Sequence, residues 1–213
     1  MHICFISSEY PLWQSGGVGS FLQTFGRGLV SKGHKVTIIG VGSVENEELL
    51  NDEGVAIFRL PKSGMTFGKF VANTKRINAK IAEVHRENPI DIVESAELGL
   101  AFTEKIKGIK YVIRLHGGHH FFAESENRKV HWWQGFKERI SFKNADGFIA
   151  VSAYVKSHTA KYLSYHNKPV EIINYPIDIV KFSPKPEIKV DKNNLTFAGT
   201  VCEKKGIRQL IMA

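Results

Sequence analysis

The chain has 213 residues, 43% of them hydrophobic, and carries a formal net charge of +8. That is enough apolar material for a full core, in one large domain or in one domain with part of a second. No apolar run approaches the roughly 18 residues of a membrane span. Nothing at the start reads as a signal peptide, and the two cysteines, Cys4 and Cys202, have no metal or redox spacing. They read as reduced thiols of a cytoplasmic protein, Cys4 buried. The positive balance suits phosphorylated ligands, polyanions or an anionic membrane. Because the basic residues form no dense block, a plain solvated surface accounts for them equally well.

Residues 2–7 open the chain as a buried strand. Pro11 to Ser20 follow as a glycine loop, Pro-Leu-Trp-Gln-Ser-Gly-Gly-Val-Gly-Ser. From Val18 the apolar positions Val18, Phe21, Leu22, Phe25, Leu29 and Val30 repeat with the spacing of one helical face. Gly33 suits the position just past a helix end, and Lys35–Val41 reads as a second strand. A third strand, Val55–Leu60, is closed by Pro61. Phe67, Phe70, Val71, Thr74, Ile77, Ile81 and Val84 mark a long helix that stops before Pro89. Asp91–Glu94 is a short strand, followed by a weaker helix to about Lys107. The strand Lys110–Leu115 runs into the loop His116-Gly117-Gly118-His119-His120. Val130, Trp133, Phe136 and Ile140 predict a helix, Gly147–Val151 a strand, and Ser152 an N-cap for a helix reaching Leu163. Val170–Ile173 is the next strand, leading into a Pro-containing segment, Tyr175–Pro186. Leu195–Gly199 then reads as a new strand and Lys204–Met212 as the start of a helix.

Strands alternating with helices, several as continuous apolar runs, predict an α/β fold: a Rossmann-like, doubly wound parallel sheet with helices on both faces. Ligands of such sheets bind at the carboxyl ends of strands near the switch point. Both glycine-rich stretches fall at such ends. Gly16, Gly17 and Gly19 let a backbone approach a ligand with no Cβ in the way. The helix they open offers unpaired N–H groups and a positive dipole end, hence an anion site. A tight turn alone would also account for them. Residues 1–173 are assigned to the Rossmann-like domain, 174–192 to a linker, and 193–213 to the opening strand–helix unit of a second domain.

The loop is not a dinucleotide fingerprint: the third glycine position is Leu22, and the second strand ends Gly40-Val41-Gly42 with no carboxylate for a ribose. Gly64–Lys69 is one residue short of a P-loop and is followed by Phe70. His116, His119 and His120 suggest a metal cluster, but they sit on a strand-end loop with no carboxylate spaced to complete it. His116 reads better as a ligand-facing hydrogen-bonding group. No Asp-x-Asp clamp for a divalent cation and no G-x-S-x-G elbow occurs. Glu94 and Glu97 could face the cleft or start a solvated helix. Arg128, Lys129, Trp132, Trp133, Lys137 and Arg139 mix basic and aromatic side chains, which fits a membrane or acceptor surface or one wet helix face.

Taken together, several segments resemble the GT-B glycosyltransferases, specifically the large retaining family GT4. Pro11–Gly19, a helix and Lys32-Gly33-His34-Lys35-Val36 resemble the family's opening. Asp91-Ile92-Val93-Glu94, Arg114-Leu115-His116-Gly117 and Ala145–Ser152 resemble later segments, and Asp178, Phe182 and Pro184 match its interdomain linker. The resemblance implies that Gly16 and Gly17 approach donor diphosphate or acceptor; Gly19 and Glu94 join them as substrate-binding candidates. It further implies that His116 contacts the transferred sugar and Lys205, beside Gly206, neutralises the diphosphate. Thr200 stands where the family often has arginine, and Tyr175 at a linker asparagine position. The family's carboxylate pair would lie beyond Ala213.

On that resemblance the chain is the acceptor-side half of a retaining, metal-independent glycosyltransferase, inactive alone. It would use a nucleotide-diphospho-sugar donor, a saccharide or lipid-linked acceptor and no cofactor. The expected setting is cytoplasmic, with peripheral contact to the inner face of the membrane and no nucleic acid. A non-catalytic Rossmann-like module holding a phosphorylated ligand or partner is the alternative.

Overall fold

The structure, a computed structural model, describes residues 1–13, 16–183, 193–199, 201–202 and 205–213. The first half runs β1 (His2–Ile6), α1 (Gly17–Ser31), β2 (Lys35–Gly42), β3 (Glu48–Asp52), β4 (Val55–Pro61) and α2 (Lys69–Glu87). It continues through β5 (Ile92–Ser95), β6 (Lys110–Leu115), α3 (His119–Ser125), α4 (Trp132–Asn144), β7 (Gly147–Ala150), α5 (Ala153–Thr159), β8 (Val170–Ile172) and α6 (Ile207–Met212). The eight strands make one sheet in the order β3-β4-β2-β1-β5-β6-β7-β8, parallel except for the antiparallel edge strand β3. The expected doubly wound parallel sheet is therefore present. Its order reverses at β1, which pairs with β2 on one side (Ile3 with Val36) and β5 on the other (Ile3 with Ile92).

Period-two alternation divides the central strands between two cores. Ile3 and Phe5 face α1 and pack with Phe21, Leu22, Val36, Ile38 and Ile57. Cys4, Ile39, Val93, Ile113 and Phe148 face the other way, onto Ile81 and Val84 of α2 and Phe142 of α4. Burial pushes the Cys4 thiol up to about 12, so it is an inert core group.

Several elements differ from expectation. Residues 96–107 form turns rather than a helix. Leu100 and Ala101 are sealed in the core, and α4 holds the turn through Ser141 Oγ, which accepts the Leu100 N–H at 3.1 Å, and Asn144 Nδ2, which donates to the Leu100 carbonyl at 2.9 Å. His119 and His120 begin a helix, not a loop. Ser152 does cap α5 by accepting the Val155 N–H, but that helix ends at Thr159. Leu195–Gly199 forms no strand, and Leu195 is exposed; an isolated strand has no neighbour to satisfy its backbone. The final helix begins at Ile207. Lys204, Thr200 and Pro184 lie outside the described residues.

Candidate functional site

The switch point at β1 leaves a cleft of about 430 Å³ at the carboxyl ends of β1, β2 and β5. Ser7, Ser8 and Glu9 enter from the end of β1, Val18 from α1, and Asn73 and Thr74 from α2. Its polar groups are thus hydroxyls, an amide and a carboxylate. They are set among apolar side chains, including Ile6, Val41, Phe70 and Ile77, and include no cation.

The three glycines of the loop differ in their surroundings. A Cβ on Gly16 would collide with the Glu9 carboxylate, and one on Gly19 would press at 3.2 Å on the Tyr10 backbone. At Gly19 the close approach is to the chain's own backbone at residues 9 and 10, whereas at Gly16 it is only to the movable end of the Glu9 side chain. Only Gly17 has open space where its side chain would be. The start of α1 is still uncapped, with Gly16 in extended conformation and no acidic residue in the first turn. Glu9 already brings a carboxylate to that helix end.

His116 stands just past β6, beside the notch between β1 and β5 that Val18 and Ala96 also line. Its ring stacks on Tyr175 at 5.6 Å between centroids and 17° between planes, with Phe21 edge-on at 5.3 Å. Its Nδ1 is 2.6 Å from the Tyr175 hydroxyl. Burial, then the nearby Arg114 charge, pull its pKa down to about 4. At neutral pH His116 is an uncharged imidazole, able to donate one hydrogen bond and accept another.

Glu94 and Glu97 do not face the cleft as free carboxylates. Glu94 is 5% exposed and receives Nε and Nη2 of Arg114 at 2.6 and 3.1 Å. Arg114 in turn lies over the rings of Phe21 and Phe25 at 4.9 and 5.1 Å. This bidentate pair ties β5 to β6 beneath α1 and supports His116 two residues on. Glu97 is also buried and accepts the Gly117 N–H at 2.7 Å. Desolvation raises its pKa to about 7.

The three histidines diverge. His120 is buried against Glu138 of α4, whose carboxylate also accepts the backbone N–H groups of His119 at 2.6 Å and His120 at 3.1 Å. The His119 ring accepts the His131 N–H at 2.8 Å. Among the described residues no three His, Cys, Asp or Glu side chains converge as a metal site. Glu138, which organises this corner from 18 residues away, has no motif in the sequence to announce it.

The linker begins in contact with the site through Tyr175. Asp178 Oδ1 then accepts the N–H groups of Val180 and Lys181 at 3.0 and 2.9 Å, which is why an aspartate begins that turn. Lys205 is exposed ahead of α6, a helix that buries none of its residues, and no polar contact joins its side chain to the cleft residues described.

The model of Glycosyltransferase Family 4 matches residues 15–181. A curated relative, an uncharacterized 42.6 kDa protein in the cps region of Klebsiella pneumoniae, is 25% identical over 252 aligned residues, covering 98% of this chain and 64% of its own. Sucrose-phosphate synthase from Thermosynechococcus elongatus superposes with a TM-score of 0.72 at 13% identity, over 86% of this chain and 50% of that one. UGT2 of Phytolacca americana, solved with UDP-2fluoro-glucose and pterostilbene, gives 0.55 at 11% identity, over 83% and 54%. At these identities the structural likeness is one of fold, and the chain spans 64% or less of each relative's length. The match across residues 15–181 takes in the α1, α2 and β5 sides of the cleft, though not Ser7–Glu9 at the end of β1, together with His116 and Tyr175, and by it the chain belongs to Glycosyltransferase Family 4.

Proposed function

We propose that this chain is the acceptor-side half of a glycosyltransferase. In this reading it passes a sugar from a nucleotide-diphospho-sugar to a saccharide or lipid-linked acceptor, with retention and without a metal. The observation that carries the proposal is the cation-free cleft at the switch point, with an uncharged His116 in the notch that shares Ile6, Val18 and Ala96 with it. Glu9, Ser7 and Asn73 hold acceptor hydroxyls there, and Gly17 gives the ligand close access to the backbone of α1. A neutral imidazole hydrogen-bonds a sugar hydroxyl without placing a cation beside the reacting centre. Leaving-group charge on the diphosphate is met by helix N-termini and cations, Lys205 among them, rather than by a metal.

The UDP-sugar analogue held by the Phytolacca relative supports a nucleotide-sugar donor. The cps-region relative is consistent with a role in building polysaccharide. The test is turnover of UDP-, GDP- and ADP-sugars by a chain extended beyond Ala213, with and without His116→Ala. Turnover that falls at least tenfold in the variant is the expected result. Absence of both turnover and ligand-induced stabilisation for every donor would overturn the enzyme reading. Stabilisation without turnover would favour a non-catalytic module.

A further inference from the structure

Beside the cleft runs a row of aromatic rings, half-buried at Phe70, Phe102 and Trp133 and open to solvent at its outer members. Phe70 lines the cleft and meets Phe102 edge-on at 6.1 Å; Phe102 stacks on Trp133 at 6.2 Å. Trp133 then contacts Trp132 at 5.6 Å and Phe136 at 5.7 Å. The outer members are open to solvent, Trp132 by 74% and Phe136 by 43%. One turn ahead of Phe70, Phe67 is 87% exposed and Met65 57%. Single exposed apolar residues are ordinary, but large rings in continuous contact mark an interaction surface.

The position of the row follows from topology. Helices α2 and α4 lead into the parallel strands β5 and β7, so their N-termini lie at the carboxyl-terminal edge of the sheet, level with the cleft mouth. Cations rim the row. Lys69 opens α2, Lys129 precedes α4, and Arg139 follows Phe136 on the same helix; all three are exposed, with no ion pair among the described residues. Lys137 holds its ammonium 4.1 Å from the Phe70 ring centroid, also without a carboxylate. Of the nearby acids, Glu126 is bound by Arg128, which leaves Glu104 as an exposed carboxylate close in sequence to Phe102.

We propose that this ridge, Phe67 and Met65 through Trp132 and Phe136, seats the protein on an anionic lipid bilayer and holds the cleft mouth at the membrane interface. Tryptophan and phenylalanine partition to the headgroup boundary, and a rim in which exposed cations outnumber the carboxylate complements anionic headgroups. The inference stands apart from glycosyl transfer, since it concerns where the cleft sits and not what reacts in it.

The 213-residue chain is mixed with phosphatidylcholine vesicles with or without phosphatidylglycerol and followed by sedimentation and tryptophan fluorescence. Binding is expected only with phosphatidylglycerol, weakening as salt rises, with a blue shift and quenching by brominated lipid. Lys69→Gln and Lys129→Gln each weaken it roughly fivefold, the equivalent of about 1 kcal/mol per surface cation. The Phe67→Ser/Trp132→Ser double variant, folded by circular dichroism, loses the quenching and most of the binding. A folded wild-type chain left in the supernatant at low salt overturns the proposal, as does binding unaffected by the double variant. A chain dimer broken by Trp132→Ser would assign the ridge to self-association and overturn it too.

Discussion

Arg114 is the largest of the fully buried side chains, and its charge is met by Glu94 on the neighbouring strand and by two aromatic faces. A buried pair of this kind contributes little net stability while both members are present, yet loss of one leaves the other stranded, at about 3–5 kcal/mol. Glu97 is a different case, because no cation neutralises it. Its folded pKa, about 7, exceeds the ordinary value of 4.5, so the fold favours the protonated form. That contribution is fully present below pH 4.5 and is lost as pH rises through about 7. At ~1.4 kcal/mol per pKa unit it amounts to about 3 kcal/mol. His116 works in the opposite sense: its stability is present above pH 6.5 and lost as pH falls through about 4. Glu97→Gln is therefore expected to abolish the decline between pH 4.5 and 7 and leave the acid limb from His116 in place. Urea unfolding of both proteins across that range measures the difference; parallel curves would show that Glu97 is not protonated in the fold.

Among the elements, α3 depends most on a remote residue. Its seven residues cannot be stable alone, and Glu138 accepts two of its first N–H groups and the His120 ring from a fully buried position. Glu138→Ala leaves those donors unpaired, at roughly 1–3 kcal/mol each. Amide exchange in α3 is expected to accelerate more than tenfold, with β1 and β2 little changed; uniform acceleration would mean that α3 has no local opening of its own. The edge strand β3 shows the same dependence. Glu48–Asp52 carries little apolar pattern, yet Asp52 accepts Arg27 Nε and Gln23 Nε2 at 3.1 Å each and also the Tyr10 hydroxyl, fastening α1 and the end of β1 to the sheet edge. Nothing within five residues of sequence reveals those partners.

At the scale of the whole molecule, one sheet with a core on each face accounts for residues 1–172, and the cleft opens where its strand order reverses. α6 buries none of its residues and Lys205 stands exposed ahead of it, so the proposed function leaves the cleft without a donor-side wall among the described residues. The 213-residue chain is accordingly expected to unfold in a single cooperative step and to show no sugar-nucleotide turnover. A donor-transfer assay on the purified chain checks this, and measurable transfer would place the full donor site within these residues.

The sequence by itself determined the alternating β/α order, the parallel sheet and the glycine loop that follows its first strand. Strands buried on two faces must be apolar throughout, and helices covering them must repeat near 3.6, so both leave a local record. His116 and Ser152 were legible for the same reason, each sitting directly at the end of a recognisable element. Only the tertiary structure decided what Gly16, Gly19, Glu94, Glu97 and Glu138 do. A glycine's neighbour and a carboxylate's charge state depend on atoms that other strands and helices bring within a few ångströms, and no spacing along the chain encodes those approaches.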